Sequence, residues 1–179
     1  MSLYNERTLI LIKHALPDID STQPAAAWQL GETGQAQAQA LIGPLSVYGL
    51  QRIITSTESK ATATGQIIAD GLQIPRITAD DLHEHERANE RYMDKATFEM
   101  KVKQFFSDQD VLHFGTETAR AAHARFKAAV DQVLAEYTDP ALAIVAHGTV
   151  ISLYAAPLLN RDPFEMWQSL DCGEFVILT

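Results

Sequence analysis

The chain has 179 residues, 46% of them hydrophobic, which is enough apolar material for one ordinary globular core. Its 23 acidic residues outnumber 14 lysines and arginines, and a net charge of −9 disfavours a phosphate backbone, so no nucleic-acid partner is expected. The single cysteine excludes an intrachain disulfide, and no apolar run approaches the roughly 20 residues that span a bilayer, so no membrane partner is expected either.

Behind Arg7 the apolar run is too short for a secretion signal and continues into Lys13, which leads to the expectation of a cytoplasmic protein. Leu9 to Ile12 then reads as a short buried strand, of the kind covered on both faces in a parallel sheet. It ends on Lys13 and His14. "GETGQAQAQALIGPL" predicts a helix with Thr33 as N-cap, bent or ended by Pro44. "QRIITS" is a second strand, ending on Thr55 and Ser56. "TESKATATGQIIADGL" is a second helix, with Ile67, Ile68 and Leu72 on one face. "IPRITAD" is a third, weaker strand.

Residues 83–115 show no clean period and predict an irregular, partly helical excursion, a cap-like insertion in one domain spanning 1–179. Its Tyr92, Phe98, Phe105 and Phe106 read as packing residues. "TETARAAHARFKAAVDQVLAEY" is the clearest helix, with Ala122, Phe126, Ala129, Val133 and Tyr137 at helical spacing and Thr116 as cap. "ALAIVAHG" is a fourth buried strand ending on His147, and "GEFVILT" a fifth.

Strands alternating with helices predict an α/β three-layer sandwich, a mostly parallel central sheet flanked by helices. Ligands of such sheets bind beyond the carboxyl ends of the strands. Lys13, His14, Ser56 and His147 all sit at such ends, so they should converge on one rim. Two imidazoles with the ammonium groups of Lys13 and Lys60 make an anion pocket, and a phosphoryl group is the natural guest. An imidazole can attack phosphorus and form a covalent intermediate. The leaving oxygen then needs an acid, and "DLHEHER" offers Glu84 and Glu86 just after the third strand.

The ordered set of motifs resembles the histidine phosphatase superfamily, also called phosphoglycerate mutase-like. The family's opening Arg-His-Gly is "KHA" here, and its Leu-x-x-x-Gly-x-x-Gln-Ala segment is matched from Leu30 by "LGETGQAQA". Its Ser-x-x-x-Arg-Ala-x-x-Thr-Ala segment is matched from Ser56 by "STESKATATG", its Leu-x-Glu acid by Leu82-His83-Glu84, and its late His-Gly by His147-Gly148. The resemblance implies that His14 is the nucleophile and becomes phosphohistidine. It implies that Glu84 is the general acid and then the base for water. Lys13, Lys60 and His147 would hold the phosphoryl oxygens, with no cofactor and no metal. The implied partner is a small phosphorylated substrate, and a phosphatase is favoured over a mutase because the family's mutases resemble longer chains.

This chain departs from the pattern at Lys13 and Lys60, both arginine in the family, and at Ala15, Pro17, Asp20 and Gly65. Lysine keeps the charge but loses the planar two-pronged grip on phosphate. A second reading is therefore a catalytically silent phosphoanion-binding module of the same fold. A distant third is a zinc hydrolase built on His14, His83, His85 and His147. Secondary site candidates are Glu86, Arg87, Asp20 and Ser56. Arg87 and Arg91 read as solvated, with a reach into the pocket as the alternative.

Overall fold

A computed structural model describes residues 7–87, 90 and 93–179; Arg91 and Tyr92 lie outside the described residues. The chain order is β1 (Thr8–Lys13), α1 (Glu32–Ala40), α2 (Ile42–Leu45), β2 (Ile53–Thr55), α3 (Ser59–Leu72) and β3 (Arg76–Thr78). It continues through α4 (Lys95–Ser107), α5 (Ala119–Glu136), β4 (Ala141–Ala146), α6 (Gly148–Leu158), α7 (Pro163–Ser169) and β5 (Phe175–Leu178). The five strands form one sheet in the order β3-β2-β4-β1-β5; all pairings are parallel except β1 with β5.

The uninterrupted aliphatic runs have the burial expected of strands covered on both faces. Leu9 and Leu11 of β1 pack with Leu142, Ile144 and residues of α4–α7, including Phe105, Phe126, Ile151 and Met166. Ile10 and Ile12 point to the other face, against Leu41, Leu45, Ile53 and Ile68 from the α1–α3 side. The predicted three-layer α/β architecture is the one observed.

Several local readings shift. Gly31, not Thr33, stands at the N-cap of α1, and it makes no side-chain cap. Pro44 has no N–H to give the Ala40 carbonyl, and the helix restarts as the short α2. Thr118 rather than Thr116 caps α5, its hydroxyl accepting from Ala121 N at 3.2 Å. Thr116 instead gives its hydroxyl to Glu86. Residues 83–115 contain a full helix, α4, capped by Asp94 and carrying the buried Phe105 and Phe106. The sequence reading left α6 and α7 undescribed. Nearly all of α6 is buried, so it lacks the polar face that gives a helix its period.

The two central strands set the site. The chain leaves β1 toward α1, on one face, and leaves β4 toward α6, on the other. Neighbouring parallel strands whose connections depart to opposite faces open a crevice at their carboxyl ends. His14 and His147 are the first residues beyond those ends.

Candidate active site

The crevice is built from five segments. β1 delivers Lys13 and His14, and the turn after β2 delivers Ser56 and Glu58. The first turn of α3 delivers Lys60, and β4 hands His147 to the head of α6. The loop after β3 supplies the fifth component, Glu84.

His14 is buried, and its Nδ1 lies 2.9 Å from the Ala15 carbonyl oxygen. A carbonyl only accepts, so Nδ1 carries the proton and Nε2 keeps a free lone pair. Burial, then the Lys60 charge, pushes the His14 pKa down to about 4. At neutral pH the ring is therefore uncharged, the form a nucleophile needs. Ala15 N–H donates to Thr64 Oγ1 at 3.0 Å and Leu16 N–H to Gln37 Oε1 at 2.8 Å, which fixes the turn behind His14. A Cβ on Gly34 would sit 2.1 Å from the Leu16 carbonyl oxygen, so that approach requires glycine.

His147 is wholly buried, with Nε2 2.9 Å from Ser56 Oγ, and its Nδ1 has no hydrogen-bond partner. Burial, followed by His14 and Lys60, holds its pKa well below the ordinary imidazole value. The two rings lie 5.1 Å apart, centroid to centroid.

The lysines are not the free ammonium groups that the sequence suggested. Lys13 Nζ donates to the Leu170 carbonyl at 2.6 Å, and its stem passes Gly148, where a Cβ would meet Lys13 Cε at 3.1 Å. Lys60 is buried, donates to the Ala25 carbonyl at 2.8 Å and forms an ion pair with Glu58. Glu58 was not singled out from sequence. It stands at the N-cap position of α3 without capping it. Its Oε1 accepts Glu84 N–H at 2.8 Å and lies 3.6 Å from His147 Nε2. Burial raises the Glu58 carboxyl, but the charge and hydrogen bond of Lys60 outweigh it and leave the pKa below its ordinary value.

Glu84 projects its carboxylate toward the head of α6. Oε1 accepts His85 N–H at 2.8 Å and Oε2 accepts Thr149 N–H at 3.2 Å, a donor at a helix N-terminus. Burial works against the charge, yet Arg87, His147 and the His85 amide hold the Glu84 carboxyl down at about 2. The loop itself is clamped by Arg125 of α5. Its guanidinium donates to the carbonyls of Asp81 (2.8 Å), His83 (3.0 Å) and Glu84 (3.2 Å), and forms an ion pair with Glu117 at 2.6 Å. Nothing in the linear pattern of α5 marks Arg125. A carboxylate two residues before a cation at a helix start was the available signal for Glu58.

The secondary candidates separate. Ser56 belongs to the crevice through His147. Arg87 is not solvated: its guanidinium lies 4.9 Å from the centre of the Phe98 ring, one buried nitrogen lacks a partner, and its charge acts on Glu84 and His147. Glu86 is exposed and turned to Thr116 (3.1 Å) and His83 (3.3 Å), away from the Glu84 carboxylate. Asp20 is exposed and its carboxylate closes its own turn, accepting from Thr22 and Gln23. The four histidines of the zinc reading do not gather. His83 bonds to Glu86, while His85 is packed against Phe105 and Phe114, with ring centres at 4.2 and 4.7 Å. Among the described residues no three His, Cys, Asp or Glu side chains are placed to hold a metal ion.

The arrangement presents a neutral imidazole with a free lone pair, a second imidazole, two lysines, a nearby guanidinium and a carboxylate set against a helix head. That set can receive a phosphoryl group, attack it and manage a proton. Comparison with known proteins bears on the family. The model of the histidine phosphatase superfamily (branch 1) matches residues 9–178. The uncharacterized phosphatase PhoE of Bacillus subtilis (strain 168) is 25% identical over 134 residues, covering 75% of this chain and 66% of the relative's length. A mycobacterial glucosyl-3-phosphoglycerate phosphatase, solved with VO3, superposes with a TM-score of 0.77 at 19% identity, covering 97% of this chain and 91% of that one. The α-ribazole phosphatase of Shigella flexneri gives 0.72 at 20% identity, covering 96% and 90%. With the family's model spanning nearly all of the chain, on the fold those phosphatases share, this protein belongs to the histidine phosphatase superfamily, branch 1.

Proposed function

We propose that the protein is a phosphatase that hydrolyses a small phosphomonoester through a phosphohistidine on His14. The observation that carries this is the state of the His14 ring. Its Nδ1 is committed to the Ala15 carbonyl, and burial beside Lys60 keeps it neutral. The Nε2 lone pair attacks phosphorus while Lys13, Lys60 and His147 take the phosphoryl oxygens. Preorganised donors of this kind supply most of the catalysis in phosphoryl transfer. The cations come from the chain itself.

Glu84 is the acid for the leaving oxygen and then the base for water. Its carboxyl, held at about 2, is ionised at neutral pH. A phosphoryl group beside it adds like charge, which raises a carboxyl pKa and lets it take a proton. The fit of the fold and family to phosphatases supports the reaction class. Protein quenched in acid during turnover of a radiolabelled ester should carry acid-labile, base-stable phosphate on His14. Normal turnover by His14→Ala would sink this reading.

A second reading has one observation in its favour. Lys60, the stronger of the two pocket cations by burial, is already neutralised by Glu58. A silent phosphoanion-binding module would bind phosphate and show neither turnover nor the phosphoenzyme.

A further inference from the structure

Glu58 meets three of the groups assigned to the phosphoryl site. It forms the ion pair with Lys60, takes the main-chain N–H of the proposed acid Glu84, and lies 3.6 Å from His147. A carboxylate there holds an anionic charge where a phosphoryl oxygen would otherwise be the counter-ion. We propose that Glu58 is a specificity-determining residue, which tunes this site to the singly protonated, monoanionic form of a phosphate ester. The inference rests on the phosphatase reading and names the ionic form of its substrate.

The charge balance leads there. Lys13, Lys60 and Arg87 bring positive charge to the site, and Glu58 and Glu84 bring negative charge. The groups facing Glu58 are Lys60 from α3, His147 at the head of α6, His14 at the end of β1 and Glu84 from the loop after β3. Both imidazoles are neutral at working pH, and Lys60 is matched by Glu58. The remaining surplus suits one negative charge better than two. Removing the Glu58 charge adds one unit of net positive charge beside Lys60 and His147.

The proton inventory agrees. Glu84, ionised at neutral pH, brings no proton of its own, whereas a monoanionic ester carries one in. In the step, the His14 Nε2–phosphorus bond forms as the phosphorus–oxygen ester bond breaks. The proton that entered on the ester passes through Glu84 to the leaving oxygen and departs with the alcohol. Charge is conserved without any further reactant.

The test is the pH profile of kcat/KM for an alkyl phosphate, whose second ionisation lies at about pH 6. In the wild-type protein kcat/KM should fall about tenfold per pH unit above that point. In Glu58→Gln the dianion becomes a competent substrate, so the fall should level off instead of continuing, giving about a tenfold advantage over wild type at pH 8. Glu58→Asp keeps the charge and should keep the wild-type limb. Titration with inorganic phosphate gives a readout that needs no turnover: at alkaline pH, Glu58→Gln should bind about tenfold more tightly. Uniformly lower activity in Glu58→Gln with an unchanged limb and unimproved phosphate binding would overturn the inference, reducing Glu58 to a strut, and leave the phosphatase reading intact. Wild-type protein that forms no phosphohistidine would remove the reading itself.

Discussion

His14 and His147 face each other from the ends of neighbouring parallel strands, ring centres 5.1 Å apart and planes inclined by 60°. The register makes this unavoidable. Lys13 of β1 lies beside Ala146 of β4, and in each strand the next residue is a histidine. His14 N–H donates to the Ala146 carbonyl at 3.0 Å, carrying the ladder one step past the strands. Two basic rings so close, and so buried, share one consequence: neither is protonated in the pH range where the protein would work.

That consequence makes stability depend on acid in a defined window. The His14 pKa falls from 6.5 to about 4 on folding. Above 6.5 both folded and unfolded states are neutral, and the full stability is present. As pH drops from 6.5 toward 4 the unfolded chain takes a proton that the folded one refuses, and stability is lost, on the order of 3 kcal/mol from this group. Glu84 acts lower down: its stabilisation is complete above its ordinary value of 4.5 and disappears as pH falls toward about 2. Denaturant melts from pH 7 to 4 should show the first loss, and His14→Gln should flatten it. An unchanged slope in that variant would place the titration elsewhere.

Glu84→Gln retains the side-chain oxygen that accepts the His85 amide, so the loop should hold its shape. The proton relay is lost. Release of poor leaving groups such as alkoxides should slow by about 100-fold or more, in the range of general acid–base catalysis, while nitrophenolate should leave almost as fast as before. The comparison is made by single-turnover phosphorylation of the two esters. Equal losses for both would remove Glu84 as the acid.

Lys60 is buried and Glu58 nearly so, at 6% and 10% side-chain exposure, so removing one leaves a charge without its counter-ion. Lys60→Met should cost about 3–5 kcal/mol. Adding Glu58→Gln should recover most of that, because the double variant strands no charge. Urea melts of the three variants give the coupling directly. Strict additivity would mean that the pair is not an interacting unit.

Arg125 reaches the site only through the backbone it holds. Arg125→Gln frees the carbonyls of Asp81, His83 and Glu84 and leaves Glu117 without its counter-ion, which should destabilise by about 1.5–3 kcal/mol or more. It should also slow alkyl esters more than nitrophenyl esters, the same signature as Glu84→Gln, because a loosened loop misplaces the acid. Arg125→Lys should rescue neither effect, since an ammonium lacks the planar fork that serves several acceptors at once. A pure stability loss with an unchanged leaving-group dependence would make Arg125 a structural residue only.

Sequence alone determined the strands, the layers and the two histidines. An uninterrupted run such as Leu9–Ile12 or Ala141–Ala146 satisfies only a sheet covered on both faces, and a polar residue at its end has one place to go. These are properties of local order along the chain, which a single sequence displays in full. The resemblance of "STESKATATG" and Leu82-His83-Glu84 to family motifs singled out Lys60 and Glu84.

Tertiary structure decided which charges meet. Glu58 and Glu84 are 26 residues apart, and Arg125 lies 41 residues beyond Glu84, yet each meets the next through a hydrogen bond. No periodicity records such a contact. Glu86 stood two residues from Glu84 as a substitute in the linear chain, and the folding of the 81–86 loop onto α5 and α6 turned the Glu84 carboxylate inward and left Glu86 at the surface. Lys60 likewise read as a free ammonium until its neighbour's carboxylate was seen beside it. Burial makes such pairings obligatory, because a charge withdrawn from water must find a counter-ion, and which counter-ion it finds depends on the packing of the whole chain.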